Sequence, residues 1–316
     1  MGVGKDDTGT DGLGGILLVS RVIESIFSGL SLGAVYAIVA IGFSFLFAAG
    51  RYLNFGQGDW VMFTGMTAAA VATRWNLALG LVAAIGVGIV ISLGCYEVVL
   101  KRSRSQDVLS LSLVLLASGL VLQGLALYLW GPNPVGIGQA SLLRAFHIWG
   151  ATFTELSVIT VVLGAITVVC LQVFFRLSKL GRAMAAWAGN REAAALIGID
   201  VRKVTLVAFT LAGVLTGLAG FLILLQSGLY FQSGLYLTLD AFSAAALAGF
   251  DRPTRVVIGA CLIGMIQAFA ESYIGGTANE VVSLGALLVI LIIVGPRYGA
   301  VGHGADAEVS RDIVRL

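Results

Sequence analysis

Residues 190–200 read Asn-Arg-Glu-Ala-Ala-Ala-Leu-Ile-Gly-Ile-Asp, inside a polar island (179–204) of a chain that is otherwise almost continuously apolar. Their types and spacing describe a short capped helix. Asn190 can accept from the free N–H groups at the start, and Glu192 puts a negative charge in the first turn, where the helix dipole favours it. Gly198 can supply the left-handed residue that ends it. Ala193, Ala194 and Ala195 add helix propensity with almost no bulk. Two turns cannot bury a core of their own, so a helix with a small-residue face is suited to another protein's groove. Arg182 stands in the same island. The chemistry such a helix suits is docking, not bond-making.

Residues for bond-making are scarce. The chain has two histidines, His147 and His303, too far apart in sequence to suggest a metal cluster or a catalytic triad, so we expect no metal site and no catalytic residue. No G-x-x-x-x-G-K-[ST] occurs, so nothing cradles a nucleotide phosphate and no cofactor is expected. Cys95, Cys170 and Cys261 each fall in an apolar run and read as small core residues.

The elements that must position the docking helix are membrane spans. Hydrophobic residues make up 58 % of the 316, charged residues 11 %, and mean hydropathy is +0.98. A soluble domain carries about a quarter charged residues. Net charge is +2, and no basic tract marks a nucleic-acid partner. The expected fold is all-α: a polytopic integral membrane protein of about eight or nine transmembrane helices, one of them short or re-entrant. The apolar segments are 26–49, 60–73, 77–100, 108–130, 156–177, 205–226, 240–250, 256–274 and 281–294. Residues 1–25 read as an N-terminal arm, 26–295 as the transmembrane domain and 296–316 as a polar tail. Residues 131–154 form a long loop.

Several positions inside this domain stand out. Gly29 and Gly33, and then Gly213, Gly217 and Gly220, form small-residue seams that let helices approach closely. Asn54, Gln57 and Asp59 lie in a Gly-containing break between two spans. Such a break either lines a translocation path or is a tight turn at the interface. Charged groups in spans need a reason. Glu97 lies one turn from Lys101 and is expected to pair with it, Glu271 is expected to face water, and Asp240 is expected to cap the segment it opens.

Orientation follows from lysine and arginine. With the N-terminus outside and all nine segments crossing, 15 of the 19 basic residues face the cytoplasm, as do the 179–204 loop and the tail.

The motif Glu192-Ala193-Ala194-x-x-x-Gly198 resembles the E-A-A-x-x-x-G coupling loop of ABC-importer permeases. The longer run 190–220, NREAAALIGIDVRKVTLVAFTLAGVLTGLAG, resembles the LivH/LivM permeases for branched-chain amino acids, LivH most of all. That resemblance implies a subunit that moves small amino acids (leucine, isoleucine, valine) across a bacterial inner membrane by alternating access. It implies a LivM-type second permease, two ATP-binding cassette subunits that bind the ATP, and a periplasmic or lipid-anchored substrate-binding protein. On the same ground Arg182, Asn190, Glu192, Ala193, Ala194 and Gly198 are the ATPase-coupling residues. The chain departs from the family twice. Gln57 and Asp59 stand where N-F-A-H-G-E has histidine and glutamate, and DRPTR (251–255) replaces a G-G-x-G-S turn. The competing readings are a permease for urea or short amides, and a stand-alone secondary transporter or channel. A membrane-embedded enzyme lacks its catalytic cluster.

Overall fold

The structure is a computed structural model that describes residues 8–98, 108–137, 145–148, 151–189, 191–250, 253–275, 281–290 and 292. Among these, the chain is helical apart from one small hairpin. The elements are α1 (Thr8–Gly50), α2 (Gln57–Ala72), α3 (Leu77–Tyr96), α4 (Val108–Trp130), β1 (Ala145–Ile148) and β2 (Ala151–Thr154). They continue with α5 (Glu155–Leu177), α6 (Lys179–Gly189), α7 (Arg191–Leu196), α8 (Val201–Gln226), α9 (Ser233–Ala248), α10 (Pro253–Ile274) and α11 (Val281–Ile290). Six of the helices (α1, α3, α4, α5, α8 and α10) are long and apolar enough to cross a membrane.

Local sequence sets the ends. Asn76 caps α3 by accepting from Leu79 N at 2.8 Å, and Asp200 caps α8 by accepting from Arg202 N at 2.9 Å. Thr154 caps α5 by accepting from Ser157 N at 3.3 Å. The outer surface is apolar: Val82, Val90, Val121, Val162 and Val169 are all exposed, as lipid-facing side chains are. Only 11 % of the most apolar window of α5 is buried, the least of any of the six.

The core forms around α1, α2, α8 and α9, where the glycine seams lie. A Cβ on Gly29 would stand 2.6 Å from Met265 Cα, and one on Gly33 would stand 2.7 Å from Cys261 Cα, so α1 and α10 touch backbone to backbone. Gly213 and Gly217 face Gly88 and Ile85 of α3, whereas Gly220 faces Val61 and Thr64 of α2. The α8 seam therefore serves two different neighbours.

Four expectations need revision. The first helix begins at Thr8 and absorbs most of the 1–25 stretch read as an arm, because no proline interrupts 8–50. The long loop contains the antiparallel β1–β2 pair, with His147 opposite Thr152. The loop before α7 is itself a helix, α6. The short segment 240–250 is the second half of α9, which begins at Ser233, so Asp240 lies in mid-helix and caps nothing. Sixteen residues span about 24 Å, short of the roughly 30 Å of a hydrocarbon core. The partner assigned to Glu97, Lys101, lies outside the described residues, as do the DRPTR residues Asp251 and Arg252 and the tail.

The seams differ in what a methyl group would meet. Gly217→Ala puts its Cβ 2.5 Å from Ile85 Cα, whereas a Cβ on Gly124 meets nothing within 4 Å. Gly217→Ala is expected to destabilise by about 1–3 kcal/mol through overpacking. Gly124→Ala is expected to be neutral or to stabilise by up to about 1 kcal/mol. Thermal unfolding in detergent, comparing the two variants, measures the difference.

Candidate functional site

Helices α6 and α7 are held at one end of the bundle. The indole Nε1 of Trp187, on α6, donates to Ala49 O at 2.8 Å, which ties α6 to the last turn of α1. Met184 is buried beside it, and Gly181 N donates to Ser178 Oγ at 2.8 Å, fixing the corner between α5 and α6. Arg182 points outward from α6 and is exposed. Helix α7 carries Glu192 in its first turn and ends as its residues dictate. Gly198 has φ +81°, and Ile199 N reaches past it to Ala194 O at 3.1 Å, the bond that closes a Schellman-type end. The expected cap, Asn190, lies outside the described residues.

The face that α7 offers differs from the one read from its alanines. Ala193 is exposed, but Ala194 is buried against the domain. The outward apolar surface comes instead from Leu196, 89 % exposed, and Ile197, 76 % exposed. Asp200, Arg202 and Lys203, all exposed, follow these two in sequence. Two aliphatic residues in a polar island were the available signal.

The break between α1 and α2 turns back into the bundle. Gln57 meets Thr216, about midway along α8, so α2 starts inside the domain and not at its surface. Its free backbone groups are met by side chains: Leu53 N donates to Ser112 Oγ at 3.2 Å, Gly56 N to Asn54 Oδ1 at 3.2 Å and Gly58 N to Thr238 Oγ1 at 3.0 Å. Asn54 Nδ2 donates to Gln57 Oε1 at 2.8 Å, and Gln57 Nε2 donates to Thr216 Oγ1 at 3.0 Å. Asp59 sits in the first turn of α2 between Gly119 and Gly234, and its Oδ1 has no hydrogen-bond partner. Asn54, Gln57 and Asp59 are thus gathered in one place, but they are buried and line neither of the two cavities described below. In this conformation they brace the packing.

The cavities lie at opposite ends. The one at the α6 end, called inner for that position alone, is about 460 Å³ and is lined by Ile41, Phe45, Arg51, Phe175, Arg176 and Met184 among others. The outer one, about 250 Å³, lies where α8 meets α9 and is lined by Leu32, Tyr36, Tyr230, Tyr236, Asp240 and Ser283 among others. Tyr236 of α9 lines the outer cavity, and Phe250, just past the end of α9, lines the inner one. At about 100° per residue, Leu32 and Tyr36 face away from Ile41, Phe45 and Ala48. The cavities therefore flank opposite sides of α1 and are not two mouths of one tunnel.

Beneath the outer cavity lies a polar cluster that the sequence did not bring together. The Tyr36 hydroxyl donates to Gln267 Oε1 at 2.6 Å, and Gln267 Nε2 donates both to Asp240 Oδ1 at 2.6 Å and to Ser283 Oγ at 2.7 Å. Four helices, α1, α9, α10 and α11, meet there. Glu271, by contrast, is exposed at the end of α10. Among the described residues no group of three metal-ligating side chains occurs, and the three cysteines are free.

Six helices long and apolar enough to cross a membrane, with a pair of short helices held at one end, make this a polytopic membrane domain. The chain belongs to the family of branched-chain amino acid transport system permease components, which matches residues 25–294. It is similar to the high-affinity branched-chain amino acid permease LivH of Escherichia coli (strain K12), 23 % identical over 292 residues that cover 86 % of this chain and 93 % of that protein. It is also similar to BraD of Pseudomonas aeruginosa, a permease with the same description, 23 % identical over 295 residues that cover 87 % and 94 %. The ribose import permease RbsC of Escherichia coli (strain K12) is 28 % identical over 282 residues, covering 84 % and 85 %. The chain is therefore a multi-pass membrane permease of a bacterial ABC transporter, a class that works with ATP-binding and substrate-binding partners.

The end of α7 offers a direct check. Gly198→Ala forces a side chain into the left-handed region at about 1–2 kcal/mol. Hydrogen exchange at the Ile197 and Ile199 amides is expected to quicken by roughly tenfold, with α8 unaffected.

Proposed function

We propose that this permease moves small aliphatic amino acids, the branched-chain ones first, inward across the bacterial inner membrane by alternating access. Separate ATPase subunits bind and hydrolyse the ATP, and the chain itself holds no nucleotide or other cofactor. One observation carries the mechanical half of this reading. The exposed pair Leu196–Ile197 stands at the end of α7, α7 packs on α6, and Trp187 ties α6 to the last turn of α1. A push on α7 is therefore passed through α6 to a long span. Arg182, Asn190, Glu192, Ala193 and Gly198 are the other coupling residues of this reading, and Ala194 is buried beneath the helix. The remaining partners are a LivM-type second permease and a periplasmic or lipid-anchored binding protein. The N-terminus lies outside, and α6, α7 and the C-terminus lie in the cytoplasm, in agreement with the distribution of lysine and arginine.

The names of LivH and BraD support the substrate class. RbsC, at higher identity, favours a second reading in which the cargo is a pentose. Uptake by the complete importer in proteoliposomes separates the two: leucine uptake that excess ribose does not inhibit supports the first, and the converse supports the second.

Docking is tested at its two exposed residues. Burying one large aliphatic side chain contributes about 1.5–3 kcal/mol. Leu196→Asp and Ile197→Asp are each expected to weaken ATPase co-purification at least tenfold while the permease inserts normally. Glu192→Lys, which reverses the charge in the first turn, is expected to act in the same direction. An ATPase held equally well by all three variants would sink the docking assignment.

A further inference from the structure

Asp240 is a buried carboxylate that borders a cavity. It is 3 % exposed in the middle of α9. A buried carboxylate in a membrane domain costs at least about 3 kcal/mol on insertion scales, so it calls for a counterpart. Among the described residues no lysine, arginine or histidine forms an ion pair with it. Gln267 cannot be that counterpart, since it is neutral and fully engaged. Its carbonyl accepts from Tyr36, and its two N–H bonds go to Asp240 and Ser283. What Gln267 does is hold the Asp240 carboxylate in a fixed orientation.

The space beside that carboxylate is not packed. Asp240 borders the outer cavity of about 250 Å³ together with three tyrosines, Tyr36, Tyr230 and Tyr236. A carboxylate with aromatic faces around it favours a cation, and an ammonium in particular, through ion pairing and cation–π attraction. The remaining walls include Leu32, Ile223, Leu229 and Leu237, which suit an aliphatic chain. Ser227 and Gly228, both exposed, stand at the mouth. Charge at the floor, aliphatic walls and a polar mouth match a small α-amino acid entering ammonium first.

We infer that the outer cavity is a binding site within the permease for a small aliphatic amino acid, with Asp240 taking the substrate's ammonium group and Gln267 positioning Asp240. The site rests on the amino-acid reading of the cargo given above. It gives the permease a recognition step of its own after the binding protein has delivered its load, and a ligand without an amino group does not satisfy it.

The test uses the complete importer first and then the permease–ATPase complex without the binding protein. Leucine uptake by the wild-type importer establishes the cargo class independently of this site. Radiolabelled leucine is then expected to bind the complex directly, and its deaminated analogue 4-methylpentanoate is expected not to compete. Asp240→Asn keeps the shape and the acceptor for Gln267 but removes the charge, and is expected to weaken leucine binding at least tenfold. Ser233 lies on the cavity wall. A Ser233→Cys variant, labelled by a membrane-impermeant thiol reagent above the background of the parent chain, is expected to be protected by leucine and not by 4-methylpentanoate. Leucine uptake combined with unchanged binding by Asp240→Asn, with equal competition by the analogue, or with labelling of Ser233→Cys that leucine does not slow, overturns the site and leaves the cargo assignment standing. Ribose uptake without leucine uptake overturns both.

Discussion

Helix α2 starts inside the bundle, where no water completes its first turn, and the arrangement of its neighbours follows from that constraint. Every backbone polar group at this depth must find a partner within the protein. The partners come from three other helices. Ser112 of α4 takes the Leu53 amide, Thr238 of α9 takes the Gly58 amide, and Thr216 of α8 takes the side chain of Gln57. For these hydroxyls to reach, the backbones must come close, and glycine makes that possible. A Cβ on Gly58 would collide with the backbone of α9 at Gly234 and Thr238, and one on Gly220 would stand 2.5 Å from Val61 O of α2. The polar break and the glycine seams are therefore two sides of one solution.

This also explains why the same residues carried two functional readings in the sequence. Asn54, Gln57 and Asp59 look like pathway residues because they are polar in an apolar chain. A break in a membrane helix needs polar side chains for its own backbone before it needs them for a substrate. The sequence pattern of the two uses is the same, and only the hydrogen-bond partners tell them apart. Where the family has histidine in this motif, Gln57 supplies an amide that both accepts from Asn54 and donates to Thr216.

Much of the shape of α7 was legible, because its determinants are local. Glu192 and Gly198 act within two turns, and a left-handed glycine announces itself by type. The helix spans were legible from length and hydropathy. The outer polar cluster was not, since Tyr36 and Gln267 are separated by 231 residues and each sits singly in an apolar run. Asp240 was misassigned for a related reason. The Gly-, Ser- and Tyr-rich stretch before it reads as a loop, so the carboxylate seemed to open a helix that in fact starts at Ser233. Pinning of α6 by Trp187 was hidden likewise, because its acceptor is a backbone carbonyl, which no side-chain pattern reveals.

The contact between α1 and α10 has an energetic consequence. Gly29 and Gly33 lie against Gly264, so over more than a turn the backbones of the two helices come within reach of each other, with the Met265 side chain at one edge. Dispersion attraction falls steeply with distance, so a seam this close contributes more per residue than one held apart by side chains. What the pair gains is proximity: α1 and α10 hold each other at a range that intervening side chains would forbid.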